Sequence, residues 1–182
     1  MSESSIFKRR SSVNFSPIDL SNEDIELIMK ASIWAPSSRN RQPWRIIGIK
    51  RDSNKFNSIV ASMSTGNQEW AINSSLIIIF CSNEDKDFSP KSFLEIGFAG
   101  QNAMLQATEL GLETHPIGGW DEEKVKIVSK IPIDSKVAFI LVVGKQGIVS
   151  SLSKELEEKN NKARERNPLG KNFNYDVWGK DF

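Results

Sequence analysis

The two longest apolar runs of the chain, residues 76–81 (LIIIFC) and 137–143 (VAFILVV), constrain its fold more than any other feature. Both are strand-sized and fall far short of the roughly 20 apolar residues that a membrane-crossing helix needs. The β-branched stretch 76–80 reads as a buried strand. Helical patterns surround these runs. Ser21 can cap a helix with Asp24 three residues on, and Ile25, Ile28, Met29 and Ile33 recur at helical spacing up to about Trp34. Pro36 stops that helix, because the residue before a proline avoids helical geometry, so residues 35–43 (APSSRNRQP) read as a loop into a strand over 44–49.

A short helical pattern over 55–63 leads to a polar break at 64–68 and then to the first apolar run. Ser89 and Pro90 suit an N-cap and first turn, and the longest helix continues from there until Gly111 terminates it. Within it Gly97, Gly100 and Ala103 lie three apart, a small-residue stripe on which another helix could pack closely, for example at a subunit interface. A strand or turn over 114–119, a helix over 121–130 and the second apolar run complete the order. Alternating helices and strands place the chain in the α/β or α+β class.

A chain of 182 residues suits one domain whose core needs no disulfide or metal. With 24 basic and 23 acidic residues, the net charge of +1 creates no overall field for nucleic acid or an anionic membrane, so neither partner is expected. A single cysteine and an N-terminal stretch without the apolar core of a signal peptide point to a reducing, cytoplasmic setting. The polar stretch 150–167 reads as a tail or linker.

One histidine, one cysteine and one tyrosine (Tyr175) leave little material for protein-borne acid–base or nucleophilic chemistry. A Ser-His-Asp triad would have to use His115, which precedes Pro116 and reads better as a constrained turn residue. Cys81 reads as a small hydrophobe ending a buried strand. If the chain is an enzyme, a bound cofactor should carry the chemistry.

Three loop segments are candidates for holding one. Arg9, Arg10, Ser11 and Ser12 suit a phosphate, since guanidinium makes bidentate, charge-assisted bonds to its oxygens; a solvated basic arm is the alternative. Residues 35–45 offer amides and loop N–H groups to the edge of a heterocycle, or form an ordinary connection. Gly118 and Gly119, after Pro116 and Ile117, permit close backbone approach to a flat ligand, or a plain turn. Neither GxGxxG nor GxxxxGK[ST] is present, which argues against a dinucleotide-binding Rossmann unit or a P-loop.

These segments in this order resemble the nitroreductase family of FMN enzymes: RRSS at 9–12, APSSRNRQPW at 35–44, EIGFAGQNAMLQATELGLETHPIGGW at 95–120 and RERNPLG at 164–170. The resemblance implies an α+β fold, a mixed central sheet flanked by helices, in an intertwined homodimer with two FMN sites at the interface. Residues 1–150 would form the FMN-binding unit, and 151–182 an extension of the same domain wrapping the partner. It implies that Arg9 and Ser11, with Arg10 adjoining, meet the FMN phosphate and the pyrimidine edge. Pro36, Ser37, Ser38 and Asn40 match the loop that runs along the flavin, usually that of the partner subunit. Ile117, Gly118 and Gly119 match the stretch whose backbone N–H groups face N5 and O4. Arg164 and Arg166 match the basic pair completing the phosphate site, and Asn67 the asparagine reaching the pyrimidine ring. No metal is implied.

Two departures stand out. Val13 and Trp70 occupy or adjoin positions often basic in the family, which suggests a less stabilised anionic reduced flavin and a lower potential, raised again by Val13→Arg. Gly118 replaces an acidic residue of some members. The activity implied is hydride transfer from NAD(P)H through FMN to an acceptor such as a nitroaromatic or quinone, with Trp70 or Trp120 as candidate linings of the open face. Alternatives are a specialised flavoenzyme of the same fold, such as a dehalogenase or metabolite dehydrogenase, and a non-catalytic flavin-binding protein.

Overall fold

A computed structural model describes residues 4–83, 89–148 and 152–179. The two apolar runs become β3 (Leu76–Ser82) and β5 (Val137–Gln146), paired antiparallel with Leu76 opposite Val143 and Ile79 opposite Ile140, and a bulge between Phe80 and Cys81. On the far side of β3 lies β2 (Trp44–Lys50), and on the far side of β5 lies β4 (Glu113–Ile117). The short β1 (Phe15–Ser16) pairs with the C-terminal end of β5. These pairings are antiparallel, and a parallel bridge between Ser11 and Thr114 gives the sheet its mixed character.

Side-chain alternation divides the core in two. Ile77, Ile79, Cys81, Ile140 and Val142 face one side, covered by α3 (Phe56–Val60), α4 (Thr65–Ala71), α6 (Glu122–Ser129) and α7 (Lys154–Asn161). Leu76, Ile78, Phe80, Leu141 and Val143 face the other, covered by α2 (Asn22–Ile33) and α5 (Pro90–Glu109). Ser21 and Ser89 cap α2 and α5, as their side chains suggest. Single-turn helices α1 (Ser5–Lys8) and α8 (Leu169–Asn172) lie near the two ends. No helix among the described residues is long and apolar enough to cross a membrane.

Four local expectations change. The polar break at 64–68 opens α4, because Trp70 and Ala71 at its far end are buried and supply the packing that its polar start lacks. The polar stretch after 150 contains α7, docked through buried Leu156 and Asn160. Part of the small-residue stripe serves the chain's own sheet. A Cβ on Gly100 would sit 2.1 Å from Phe139 Cζ and Ala103 is buried, whereas Gly97 is exposed with nothing within 4 Å. His115 lies within β4 opposite Val142, not in a turn. Cys81 is buried, and desolvation pushes its thiol up to about 12, which leaves it inert as a nucleophile.

Candidate functional site

The N-terminal arm is tied to the sheet at Ser12, whose N–H donates to the Thr114 carbonyl (3.0 Å). His115 Nδ1–H donates to the Ser12 carbonyl at 2.7 Å, since a carbonyl can only accept. The His115 ring stacks on Trp70 with centroids 4.4 Å apart, and Trp70 stacks on Phe15 at 5.9 Å. Burial lowers the His115 pKa, the bond to Ser12 opposes that, and Lys159 and Arg9 lower it further. From the other side Asn160 Oδ1 accepts from Ser12 Oγ (3.3 Å) and the Val13 N–H (3.4 Å). Arg164 donates to the carbonyls of Lys8 (3.0 Å) and Arg9 (2.7 Å).

These bonds gather three guanidinium groups. Burial lowers the Arg9 pKa, and the charges of Arg166 and Arg164 lower it further, so all three lie within electrostatic reach. Among the described residues the ion pairs are Lys30–Glu26, Lys124–Asp121 and Lys126–Glu122, and none of them involves the cluster. Arg10 Nε is buried without a hydrogen-bond partner. Like charges brought together with a desolvated donor nearby suit a multiply charged anion, and a phosphate matches the guanidinium geometry.

The glycine pair follows β4 directly, so a strand of about three residues, on the order of 10 Å, separates it from His115. Gly119 accepts from the Ser64 N–H (3.0 Å), and Asn67 Nδ2 donates to Ser64 Oγ (3.0 Å), so Asn67 and the glycines form one group. A Cβ on Gly119 would approach Ser64 Oγ to 3.3 Å, whereas one on Gly118 would meet nothing within 4 Å. The backbone at Gly118 is therefore open to a ligand. The Ile117 side chain is 2% exposed and belongs to the core, so only its backbone could take part. Among supporting residues, Ser64 and Asn160 carried no signal in the sequence, because each is one polar residue in a polar stretch.

Residues 36–40 stand apart. Ser38–Asn40 form a 3-10 turn, and Arg39, Asn40 and Gln42 have φ of 54°, 55° and 49°, a left-handed geometry costing about 1–2 kcal/mol each. The Ser38 N–H donates to Glu95 Oε1 (2.8 Å), the Gln42 N–H to Ser37 Oγ (3.0 Å), and Gln42 Nε2 to Asn40 Oδ1 (3.0 Å). The loop leads into β2 at one edge of the sheet, while the glycine pair follows β4 at the other. Three strand spacings, about 14 Å, separate these edges. A single chain thus brings Arg9, Arg10, Ser11, Arg164 and Arg166 together, joins Asn67 to Gly118 and Gly119 through Ser64, and leaves Pro36, Ser37, Ser38 and Asn40 away from both groups.

Two expectations about the flavin face are corrected. Val13 and Trp70 are each 1% exposed and packed in the core, so Trp70 lines no open face and an arginine at position 13 would test packing instead of flavin potential. Trp120 is half-buried and bridges to Met63.

The family model described as the Nitroreductase family matches residues 6–64 and 49–145. A protein of Archaeoglobus fulgidus named "Putative NADH dehydrogenase/NAD(P)H nitroreductase" is 30% identical over 129 residues, covering 69% of this chain and 72% of its own length. Protein DrgA of Synechocystis sp. is 29% identical over 175 residues, 78% of this chain and 82% of its own. A solved structure described as an oxidoreductase containing FMN superposes with a TM-score of 0.90 at 26% identity, over 100% of this chain and 96% of that one. The family match takes in the arginine arm, the loop before β2, Asn67 and the glycine pair, which is well over half of the sequence, and the chain belongs to the nitroreductase family.

Proposed function

We propose that the protein is an FMN-dependent oxidoreductase that draws hydride from NAD(P)H and delivers it to an acceptor such as a nitroaromatic or a quinone. The observation that carries this reading is the cluster of Arg9, Arg164 and Arg166, in no ion pair among the described residues, on an arm bonded to the strand that leads into Gly118 and Gly119. Bound FMN supplies the hydride-accepting and hydride-donating chemistry. The chain supplies the rest. The arginines with Ser11 would hold the phosphate, and Asn67, whose amide is positioned by Ser64, would meet the pyrimidine edge. Backbone N–H groups at the glycine pair would face the ring, where preorganised donors favour developing negative charge. His115, neutral and bonded to Ser12, positions the arm without exchanging a proton with substrate.

The opposite-edge placement of Pro36, Ser37, Ser38 and Asn40 supports a homodimer in which this loop completes the flavin site of the partner subunit. In that assembly residues 151–182 extend over the other subunit while remaining part of one domain with 1–150.

Absorbance of the purified protein tests for bound flavin, and anaerobic bleaching by NADH and NADPH tests for donor oxidation. A colourless protein that does not take up added FMN overturns the proposal. One that holds FMN but is bleached by neither dinucleotide would be a flavin-binding protein without the oxidoreductase activity.

A further inference from the structure

The loop before β2 carries two cations that the flavin site leaves unused. Its other polar groups hold the loop together: Ser37 Oγ and Asn40 Oδ1 both accept from Gln42, and buried Glu95 accepts from the Ser38 N–H. Arg39 and Arg41 alternate with these residues, are exposed, and have side chains in no ion pair or hydrogen bond with a described residue. The left-handed backbone at Arg39, Asn40 and Gln42 is held by these internal bonds. The internal bonds and buried anchor present both guanidinium groups from a shaped, preorganised loop.

We propose that Arg39 and Arg41 read a phosphate monoester on the nicotinamide donor and so select NADPH over NADH. The inference rests on the proposed function, which sets this loop along the partner's flavin, beside the donor. A ribose 2′-phosphate carries close to two negative charges and three terminal oxygens at neutral pH, whereas each phosphate of the pyrophosphate common to both donors carries one. Two guanidinium forks match the former best.

Calorimetric titration of the FMN-loaded protein with NADP+ and with NAD+ reads the site without turnover. Wild type should bind NADP+ about tenfold or more tightly than NAD+, the worth of a charge-assisted bond. The Arg39→Ala/Arg41→Ala variant should lose that preference, and Arg39→Lys/Arg41→Lys should keep part of it, since lysine retains charge but not the fork. The ratio of kcat/KM for NADPH to that for NADH should fall by a similar factor in the alanine variant. Equal losses for both donors would assign the arginines to the shared pyrophosphate and overturn the proposal, as would a wild type indifferent to the 2′-phosphate. Failure of the underlying function appears differently, as a protein without flavin or one bleached by neither donor.

Discussion

His115 connects the core to the cofactor arm through one hydrogen bond and one ring stack, and its titration should be visible in stability. Its folded pKa lies below the usual 6.5, chiefly because burial disfavours the charged form. Between the two values the unfolded chain binds more protons, so this contribution is complete above about pH 6.5 and lost as pH falls towards the folded pKa. We expect Tm to drop more steeply in wild type than in His115→Gln as pH is lowered from about 7 to 5; parallel curves would count against this. Asn160→Ala leaves the buried Val13 N–H without its acceptor and Ser12 Oγ with only the Asn14 carbonyl, which should cost about 1–3 kcal/mol in denaturant unfolding. Arg9→Ala should weaken FMN binding about tenfold or more, read from flavin fluorescence on release. Of these groups, Arg9 and Arg10 stood out as adjacent guanidinium groups, while Arg164, Arg166 and Asn67 were singled out only by the resemblance to the family. The roles of His115, Asn160 and Ser64 did not stand out, because their partners lie far along the chain or, for Ser64, across a turn that only the fold creates.

Among the elements, β2, β3 and β5 followed from composition and several helices from their caps, whereas β1 and β4 depend on pairing with β5. β3 is buried along its whole length, so its β-branched run needed no partner information to be recognised. α4 and α7 behave differently. Each is mostly polar and is held by two buried residues, Trp70 and Ala71 in one and Leu156 and Asn160 in the other. Such helices depend on docking more than on intrinsic periodicity. α5 shows how a correct local reading can serve an unexpected neighbour, since the glycine needed for close packing faces the ring of Phe139 in β5. Gly100→Ala should overpack that contact and cost about 1–3 kcal/mol, measured as a lowered urea midpoint. An unchanged midpoint would mean that Phe139 moves aside freely.

At the scale of the molecule, apolar surface remains on the outside. Leu94 and Phe98 on α5, Trp34 at the end of α2, and Tyr175, Val177 and Trp178 near the C-terminus are all exposed, Trp178 at 99%. The proposed homodimer would cover apolar side chains of this kind, which are otherwise left in water. If the flavin site is completed across that interface, dilution should release FMN together with subunit dissociation. Sedimentation velocity recorded at flavin and protein wavelengths would follow both. A monomer that sediments with its FMN would sink the shared site.

By itself the sequence determined which segments become the central strands and where the longest helices begin, and it singled out the loops proposed to meet a phosphate and a ring, because those properties reside in residue type, local spacing and motif order. The tertiary structure decided what only distance in space can decide. It gathered Arg9, Arg164 and Arg166, buried Val13 and Trp70, and set Pro36 to Asn40 and Gly118 to Gly119 at opposite edges of one sheet. Strand order is chosen by packing across the whole core, so no local pattern could have shown that the two halves of the site lie apart within a single chain.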